Sequence, residues 1–198
     1  MNPNEFYEKC LNTKSDINEH LPVLKELASR CNTVVEFGVR TGVSTMALLM
    51  GKPKKLVSFD VSPFGNKDLY DNYADLLDVS FAFHQENVLT TTKVPSCDMI
   101  FIDTLHSYLQ LSLELFLHAY KANKYIVFHD TISFAGHDEG QVDTRVLSGM
   151  AMSLVRNIEN NGKKGLLPAI NEFLEQNPEW SIAASYTHNN GLLVLERK

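Results

Sequence analysis

Short apolar runs alternate along the chain with stretches whose apolar residues recur at helical spacing. Five runs are continuous in their apolar character, which is typical of parallel strands covered on both faces by helices. These runs are NTVVEFGV, KLVSFDV, VSFAFHQEN, CDMIFID and KYIVFHD. Further on, WSIAASYTH and LLVLERK flank Asn189, Asn190 and Gly191, a turn signal that predicts an antiparallel hairpin.

Helical patterns separate the predicted strands. Three of them are VSTMALLM, KDLYDNYADLL and HSYLQLSLELFLHAYKAN, and others cover Ser15–Arg30, Arg145–Glu159 and Leu167–Gln176. Alternating β and α elements predict an α/β fold: a doubly wound, mostly parallel seven-stranded sheet with a C-terminal antiparallel hairpin and helices on both faces. We predict one domain over residues 1–198, with an N-terminal helical cap over 1–30 and a lid or insert region over 132–165.

The composition excludes several classes of protein. No apolar run approaches the roughly 20 residues that span a bilayer, so we expect no membrane association. The net charge of −6 argues against nucleic-acid binding, because the one dense basic patch, KPKK, lies in a predicted turn. Three cysteines without metal-type spacing, and a polar N-terminus unlike a secretory signal, predict a cytoplasmic protein with reduced thiols.

Polar residues collect where the predicted parallel strands end. Ligands of doubly wound sheets bind outside these carboxyl ends. At the first of them, VVEFGVRTGVST carries the pattern E-x-G-x-x-x-G, which is neither the dinucleotide fingerprint nor a phosphate-binding loop. Its glycines permit close approach of a ligand to the backbone. Asp60 ends the second strand 24 residues after Glu36, and its carboxylate suits a ribose diol.

These motifs in this order resemble class I S-adenosylmethionine-dependent methyltransferases. The resemblance rests on EFGVRTGVST, the FD pair ending at Asp60, FID before HDT, and the closing hairpin. It implies that S-adenosylmethionine is the cofactor and assigns to it seven residues: Glu36, Gly38, Gly42, Ser44, Asp60, Asn87 and Asp103. Glu36, Gly38 and Gly42 would line the methionine part, Asp60 would hold the ribose, and Asn87 would lie near the adenine. The alternatives are a buried capping role for Glu36 and a turn role for Asn87.

The segment CDMIFIDTLHSYLQ places Asp103 at the end of the fourth strand and His106 three residues later. A hydroxyl is a poor nucleophile until its proton is removed, and a divalent cation together with a base accomplishes that. Carboxylates such as Asp103 and Asp130 are the ligands that Mg²⁺ prefers. His106 has a side chain suited to proton transfer near neutral pH.

IDTLH and HDT resemble the metal-dependent sugar and antibiotic O-methyltransferases, which include the macrocin and cephalosporin-type branches. The resemblance implies that Asp103 and Asp130 bind the metal and that His106 is the general base. Asp103 and His106 are thus the predicted catalytic residues. His129 departs from the pattern, because those branches have an acid there. We include it as a predicted ligand, although imidazole suits softer ions better than Mg²⁺.

The resulting prediction is metal-assisted O-methylation of a hydroxyl on a small molecule, sugar or glycan. Three alternatives stay open. In a metal-free N- or O-methyltransferase, Asp103 would serve only the cofactor. In a non-catalytic protein the fold would bind S-adenosylmethionine without transfer. A dehydrogenase is the most distant alternative.

Two minor features complete the prediction. His137, Asp138 and Glu139 lie in the loop after the fifth strand and could contact substrate, although we favour a solvated lid. His118, inside the apolar helix, is expected to be packed or partly exposed. That helix has an expected core face (Leu109, Leu113, Phe116 and Leu117) and a second apolar stripe (Tyr108, Leu111 and Leu115). Apolar character on two faces predicts burial by the N-terminal helices or by a second copy in a homodimer.

Overall fold

The computed structural model describes residues 1–147, 149, 152, 155, 156 and 162–198. The strands are β1 (Thr33–Phe37), β2 (Lys55–Asp60), β3 (Ser80–Gln85), β4 (Cys97–Ile102), β5 (Ala122–His129), β6 (Trp180–Tyr186) and β7 (Leu192–Arg197). They form one sheet in the order β3-β2-β1-β4-β5-β7-β6. Strands β1 to β5 are parallel, and β7 runs antiparallel between β5 and β6. The predicted seven-stranded fold is confirmed.

Six α-helices surround the sheet in the described residues. They are α1 (Pro3–Asn12), α2 (Leu21–Ser29), α3 (Val43–Met50), α4 (Lys67–Leu77), α5 (Tyr108–His118) and α6 (Leu166–Gln176), with 3₁₀ turns at Asn18–His20, Ala119–Lys121 and Thr144–Val146. The predicted helix over Arg145–Glu159 falls largely outside the described residues. None of the described helices is long and apolar enough to cross a membrane.

Successive strand residues pack into opposite cores, as two-sided burial requires. Val34 packs with α1 to α4, whereas its neighbour Val35 packs with α5 and α6. Both side chains are completely buried. The continuous apolar runs of the sequence therefore reflect helices on both faces.

The N-terminal region departs from the predicted single helix over Ser15–Arg30. The chain forms α1 first, and a 3₁₀ turn over Asn18–His20 then precedes α2. Asn2 and Glu5 form a reciprocal capping box at the start of α1, which satisfies backbone N–H groups that have no partner within the helix. Pro22 stands at the start of α2, where its missing N–H costs no helical hydrogen bond.

Helix α5 is buried on both of its apolar stripes within its own chain. Tyr108, Leu111 and Leu115 belong to the core that also contains residues of α6, whereas Leu113 packs with Leu89. Helix α6 therefore covers the second stripe, so the predicted packing against the N-terminal helices is wrong. No second copy is required to bury it, and the homodimer stays a prediction. The assignment of Phe116 to the core face is wrong. Its side chain is 47% exposed, because α6 covers the neighbouring stripe instead.

Candidate functional site

The turn after β1 is fixed from both sides by neighbouring strands. The Gly38 N–H donates to the Phe59 carbonyl at 2.9 Å, and the Asp103 N–H donates to the Phe37 carbonyl at 2.8 Å. Gly38 has a φ of +88°, and a Cβ on it would lie 1.9 Å from the Asp103 carbonyl oxygen. Only glycine fits this position, because the turn after β1 touches the end of β4.

Asp60 organises the same turn from the end of β2. Its Oδ2 accepts hydrogen bonds from the N–H groups of Val39 at 2.8 Å and Arg40 at 2.9 Å. Its Oδ1 accepts one from Ser62 at 2.8 Å. Each carboxylate oxygen has more than one acceptor position, so Asp60 can hold this turn and still accept bonds from a bound diol.

Glu36 is completely buried beneath this turn. Its carboxylate accepts hydrogen bonds from the hydroxyls of Ser44, Thr45 and Ser58. Burial raises the pKa of Glu36 to about 7, although these three bonds oppose the shift. This geometry matches the alternative in which Glu36 is a buried capping carboxylate, and its predicted cofactor contact stays a prediction.

Two of the remaining predicted cofactor residues have structural partners of their own. The Asn87 side chain accepts from the Leu89 N–H at 2.9 Å and also lines a cavity. Gly42 leaves room for aromatic rings, because a Cβ there would lie 2.6 Å from the Tyr70 ring and 2.8 Å from that of Phe64. The absence of a side chain at Gly42 therefore allows these two rings to pack below the turn.

Two cavities meet at the end of β4. One, of about 360 Å³, extends past Asp60 towards Asn87 and Val88. The other, of about 350 Å³, extends past Ser44 and His106 towards the N-terminal residue Asp16. Five residues line both: Gly38, Asp60, Asp103, Thr104 and Leu105. An elongated ligand can thus lie across the sheet edge with its middle at Asp60 and Asp103.

Asp103, His129 and Asp130 converge beside the second cavity, as the sequence predicted for adjacent strands. One donor atom from each lies within 4.8 Å of the others. Asp130 adopts a left-handed backbone conformation with a φ of +59°. Residues without a β-branch tolerate this conformation at a cost, and such strain is common at functional sites.

The ring of His129 is oriented by a distant part of the chain. Its Nε2 lies 3.3 Å from the carbonyl oxygen of Asn189, to which it donates. Its Nδ1 lies 3.1 Å from Asp130 Oδ2 and 3.4 Å from Asp103 Oδ1, yet it makes no hydrogen bond to any described residue. A backbone carbonyl behind one ring nitrogen is the usual support of a histidine that ligates metal through the other.

His106 lies between the same two carboxylates. Its Nε2 is 3.2 Å from Asp103 Oδ1 and 3.1 Å from Asp130 Oδ2. Burial disfavours charge on this ring, but the bonds to Asp103 and Asp130 outweigh burial and raise its pKa to about 10. The same carboxylates raise the pKa of His129 to about 10 against the effect of burial. Burial also opposes the charge of Asp103 and Asp130, yet the nearby rings of His106 and His129 lower both pKa values.

Protons on the two imidazole rings therefore balance the negative charges of Asp103 and Asp130. The carboxylates of Asp103 and Asp130 carry two negative charges, and the two imidazolium rings supply two positive charges. A third carboxylate, that of Glu139, contacts His106 from the other side of its ring. A single divalent cation among Asp103, His129 and Asp130 would supply the same charge, because a metal ligand must be deprotonated. The donor set of two carboxylate oxygens and one imidazole nitrogen fits such an ion.

Two contacts around the cluster were not predicted. Glu139 bonds to the ring of His106, and Phe134 stacks on that ring. Both residues lie in the predicted lid region, but no sequence pattern distinguishes the role of Glu139 from that of its neighbour Asp138. Asp138 is structural, since its Oδ1 accepts hydrogen bonds from the Tyr108 and Gly165 N–H groups at 2.8 Å each.

The other histidines have simpler surroundings. His118 is buried as predicted, and its Nε2 lies 2.7 Å from the Val88 carbonyl oxygen. His20 was not assigned a role, yet it is completely buried with its ring 5.7 Å from that of His129. The three cysteines Cys10, Cys31 and Cys97 are unpaired, in line with the predicted thiols.

With this geometry in view, the comparisons with known proteins become informative. Residues 35–131 match the family model described as Methyltransferase domain. The chain carries a methyltransferase domain. The matched segment begins within β1 and ends one residue after Asp130, and it therefore contains the turn after β1, Asp60 and the whole cluster. The comparison with curated protein sequences gave no match.

Solved structures show that the methyltransferase has the class I fold. An O-methyltransferase from Bacillus cereus in complex with SAH is 15% identical, with a TM-score of 0.59 over 94% of this chain and 83% of its own. TomG from Streptomyces achromogenes, an O-methyltransferase of tomaymycin synthesis solved with SAM, is 13% identical, with a TM-score of 0.53 over 94% and 82%. The N-methyltransferase NodS from Bradyrhizobium japonicum, with S-adenosyl-L-homocysteine, is 13% identical, with a TM-score of 0.55 over 100% and 99%. Since both O- and N-methyltransferases share this fold, the type of acceptor must be argued from the site.

Proposed function

We propose that this methyltransferase transfers the methyl group of S-adenosylmethionine to a hydroxyl of a small molecule, sugar or glycan, with the help of a divalent cation. One observation carries the proposal: Asp103, His129 and Asp130 converge next to His106. Asp103, His106 and Asp130 line a cavity that is also lined by the turn after β1. A methyltransferase that only needed a neutral amine would not require this concentration of acid and imidazole groups.

The cofactor fits the two joined cavities. S-adenosylmethionine supplies a methyl group on an electrophilic sulfonium and leaves as S-adenosylhomocysteine. Asp60 would accept the ribose hydroxyls, and the cavity near Asn87 and Val88 would take the adenine. Gly38 would let the cofactor lie against the backbone, next to Asp103.

A divalent cation fits the donor set of Asp103, His129 and Asp130. Such an ion supplies positive charge that lowers the pKa of an acceptor hydroxyl. The family resemblance implies Mg²⁺, whereas the His129 imidazole favours a first-row transition ion such as Mn²⁺ or Zn²⁺. The Asn189 carbonyl would keep the Nδ1 of His129 directed at the carboxylates.

His106 would accept the acceptor's proton. In the structure its pKa is raised to about 10, so at neutral pH the ring is an imidazolium and has no free lone pair. The two carboxylates cause this, and positive charge placed on them would reverse it. The O–H bond of the acceptor would then break as its proton passes to Nε2, while the oxygen takes the methyl group.

A second function is favoured by one specific contact. The His106 Nε2 bridges Asp103 and Asp130 at 3.2 and 3.1 Å, so the cluster is satisfied by protons alone. In that arrangement His106 cannot act as a base at neutral pH. The enzyme would then methylate an acceptor that needs no deprotonation, such as a neutral amine, without metal.

Metal binding and turnover separate these two functions. Mg²⁺, Mn²⁺ and Zn²⁺ are titrated by calorimetry into metal-stripped protein with S-adenosylhomocysteine, and release of that product is measured on panels of hydroxyl and amine acceptors with and without EDTA. We expect cation binding that is lost in Asp103→Asn and Asp130→Asn and kept in the exposed Asp75→Asn control. Full turnover in excess EDTA, or unchanged cation affinity in both variants, would overturn the metal-assisted function. Cofactor binding without turnover of any acceptor would instead indicate a non-catalytic protein.

A further inference from the structure

The imidazole of His106 is held on the side that faces away from the carboxylate cluster. Its Nδ1 lies 2.8 Å from Glu139 Oε2. Phe134 covers one face of the ring, with ring centroids 4.8 Å apart and planes 4° from parallel. The ring can therefore neither tilt nor turn over without breaking one of these contacts.

Backbone bonds bring Glu139 to this position. Its N–H donates to the His106 carbonyl at 2.8 Å, and the His106 N–H donates to Glu139 Oε2 at 3.3 Å. Glu139 thus contacts the backbone of His106 on two sides as well as its ring. The contact joins the loop after β5 to the loop after β4, 33 residues apart.

A carboxylate at Nδ1 determines what Nε2 can do. Because Glu139 is an acceptor only, the Nδ1 of His106 must carry the hydrogen, and in a neutral ring the free lone pair then lies on Nε2. That is the nitrogen that faces Asp103 and Asp130, and His106 lines the second cavity. An aligned carboxylate also stabilises the imidazolium that forms when Nε2 takes a proton.

We propose that Glu139 is a positioning residue for His106, and that it holds the Nδ1–H so that Nε2 accepts the proton of the acceptor. The proposal rests on the proposed function, in which His106 is the base. In the step, the acceptor O–H bond breaks, the proton forms a bond to Nε2, and the oxygen displaces S-adenosylhomocysteine from the methyl group. Glu139 keeps its hydrogen bond throughout and is neither protonated nor consumed.

The half-exposed side chain of Glu139 leaves one rival role, direct contact with the acceptor. The two roles differ in their dependence on His106. A positioning residue acts only through the imidazole, so its removal has no further effect once His106 is gone. A group that binds the acceptor itself continues to contribute in that background and changes KM.

Kinetics with the acceptor found in the panels above test this. We expect Glu139→Gln to lower kcat about 10- to 100-fold, the usual effect of losing an outer partner of a site histidine, with KM and S-adenosylhomocysteine affinity unchanged. Glu139→Asp should recover part of the loss. The control Glu26→Gln, an exposed carboxylate that pairs with Arg30, should behave as wild type. In the His106→Ala background Glu139→Gln should change nothing, and additive losses or a raised KM would overturn the proposal.

A spectroscopic test does not depend on turnover. In the ¹⁵N-labelled full chain with Mg²⁺ and S-adenosylhomocysteine, the His106 Nδ1–H should give a downfield proton resonance protected from exchange. Glu139→Gln should shift it upfield or remove it, with the fold unchanged by circular dichroism. An unaltered resonance would overturn the proposed contact. If that contact is present but His106→Ala keeps the wild-type rate, the base assignment in the proposed function fails instead.

Discussion

Gly38 is the residue at which the backbone geometry of the turn meets the proposed cofactor site. A methyl group there would overlap the Asp103 carbonyl oxygen at 1.9 Å, and the φ of +88° is unfavourable for any other residue. Either the turn after β1 or the end of β4 would have to move, and both line the two cavities. The carbonyl that excludes a side chain at Gly38 therefore belongs to a residue, Asp103, that lines both cavities.

We predict that Gly38→Ala removes measurable S-adenosylhomocysteine binding and lowers the free energy of unfolding by about 1–3 kcal/mol, the usual cost of overpacking. Calorimetry and denaturant unfolding measure the two effects. Gly65→Ala is the matched control, since no atom lies within 4 Å of the added Cβ. Wild-type affinity in Gly38→Ala would show that the cofactor does not pass this turn.

Glu114 is a second residue with a testable electrostatic property. It is 1% exposed, and its Oε1 accepts bonds from Thr104 Oγ1 and Gln110 Nε2 at 2.7 Å each. Its Oε2 has no hydrogen-bond partner among the described residues. Burial raises the pKa of Glu114 to about 7 from 4.5, although the two bonds oppose it.

Because its pKa is higher in the folded state than in the unfolded chain, Glu114 holds a proton longer when folded between pH 4.5 and 7. Stability should therefore fall as pH rises through this window, by at most about 1.4 kcal/mol per pH unit from this group. We predict that Glu114→Gln removes the contribution of Glu114 to the pH dependence of the unfolding free energy and leaves the contribution of Glu36. Denaturant unfolding at pH 5, 6 and 7 measures it, and an unchanged slope would contradict the raised pKa.

At the scale of elements, the sequence predicted best where a pattern is local. Helices α3 and α4 have the predicted bounds, because their apolar residues recur over complete turns. The capping box of Asn2 and Glu5 and the position of Pro22 are sequence signals for the starts of the two N-terminal helices, which apolar periodicity alone does not separate. The strand ends predicted that Asp103 and Asp130 would meet, since parallel strands end at one edge of a sheet.

Contacts between loops could not be predicted in the same way. Glu139 reaches His106, and Asn189 reaches His129, because of the paths of two loops that no periodicity encodes. For Glu36, the sequence motif implied a contact with a ligand. Its three hydroxyl partners could not be predicted, because only the folded turn brings their side chains together. Sequence therefore predicted which strands supply the site but not what orients its rings.

The turn between β6 and β7 holds the N-terminal segment in place. The Asn189 side chain accepts from the Glu19 N–H at 3.0 Å and donates to the Ser15 carbonyl at 2.9 Å. The His20 Nε2 lies 3.1 Å from both the His188 and Asn189 carbonyl oxygens. Residues 15–20 therefore depend on this turn, and Asp16 and Ile17 among them line the second of the two cavities at the end of β4.

We predict that Asn189→Gly lowers the free energy of unfolding by about 1–3 kcal/mol, since two hydrogen bonds worth about 1 kcal/mol each are lost. Asn189→Ala should cost more, because Asn189 has a φ of +44°, which alanine disfavours. Hydrogen exchange should quicken at residues 15–20 in both variants. Unchanged exchange there would show that the turn does not hold the segment.

At the scale of the whole molecule, the homodimer prediction can now be tested on a defined surface. Phe116 and Tyr120 are 47% and 71% exposed and line a groove of about 320 Å³ between α5 and α6. If the chain dimerises through this groove, Phe116→Ser should weaken association, because an exposed apolar anchor is lost. Sedimentation equilibrium measures the change, with Leu76→Ser, at an exposed position on α4, as the control. A monomeric wild type would contradict the prediction.

The antiparallel insertion of β7 between β5 and β6 has a consequence for the order of folding. The donor atoms of Asp103, His129 and Asp130 belong to the parallel half of the sheet, but the carbonyl that orients His129 belongs to Asn189, some 60 residues later. Contacts this distant in sequence form slowly, because a long loop must close first. In the proposed site, a nascent chain that has formed β5 but not yet the last hairpin would lack the Asn189 carbonyl that orients the metal ligand His129. Cation uptake would then follow closure of the last hairpin, and its rate would report the final step of folding.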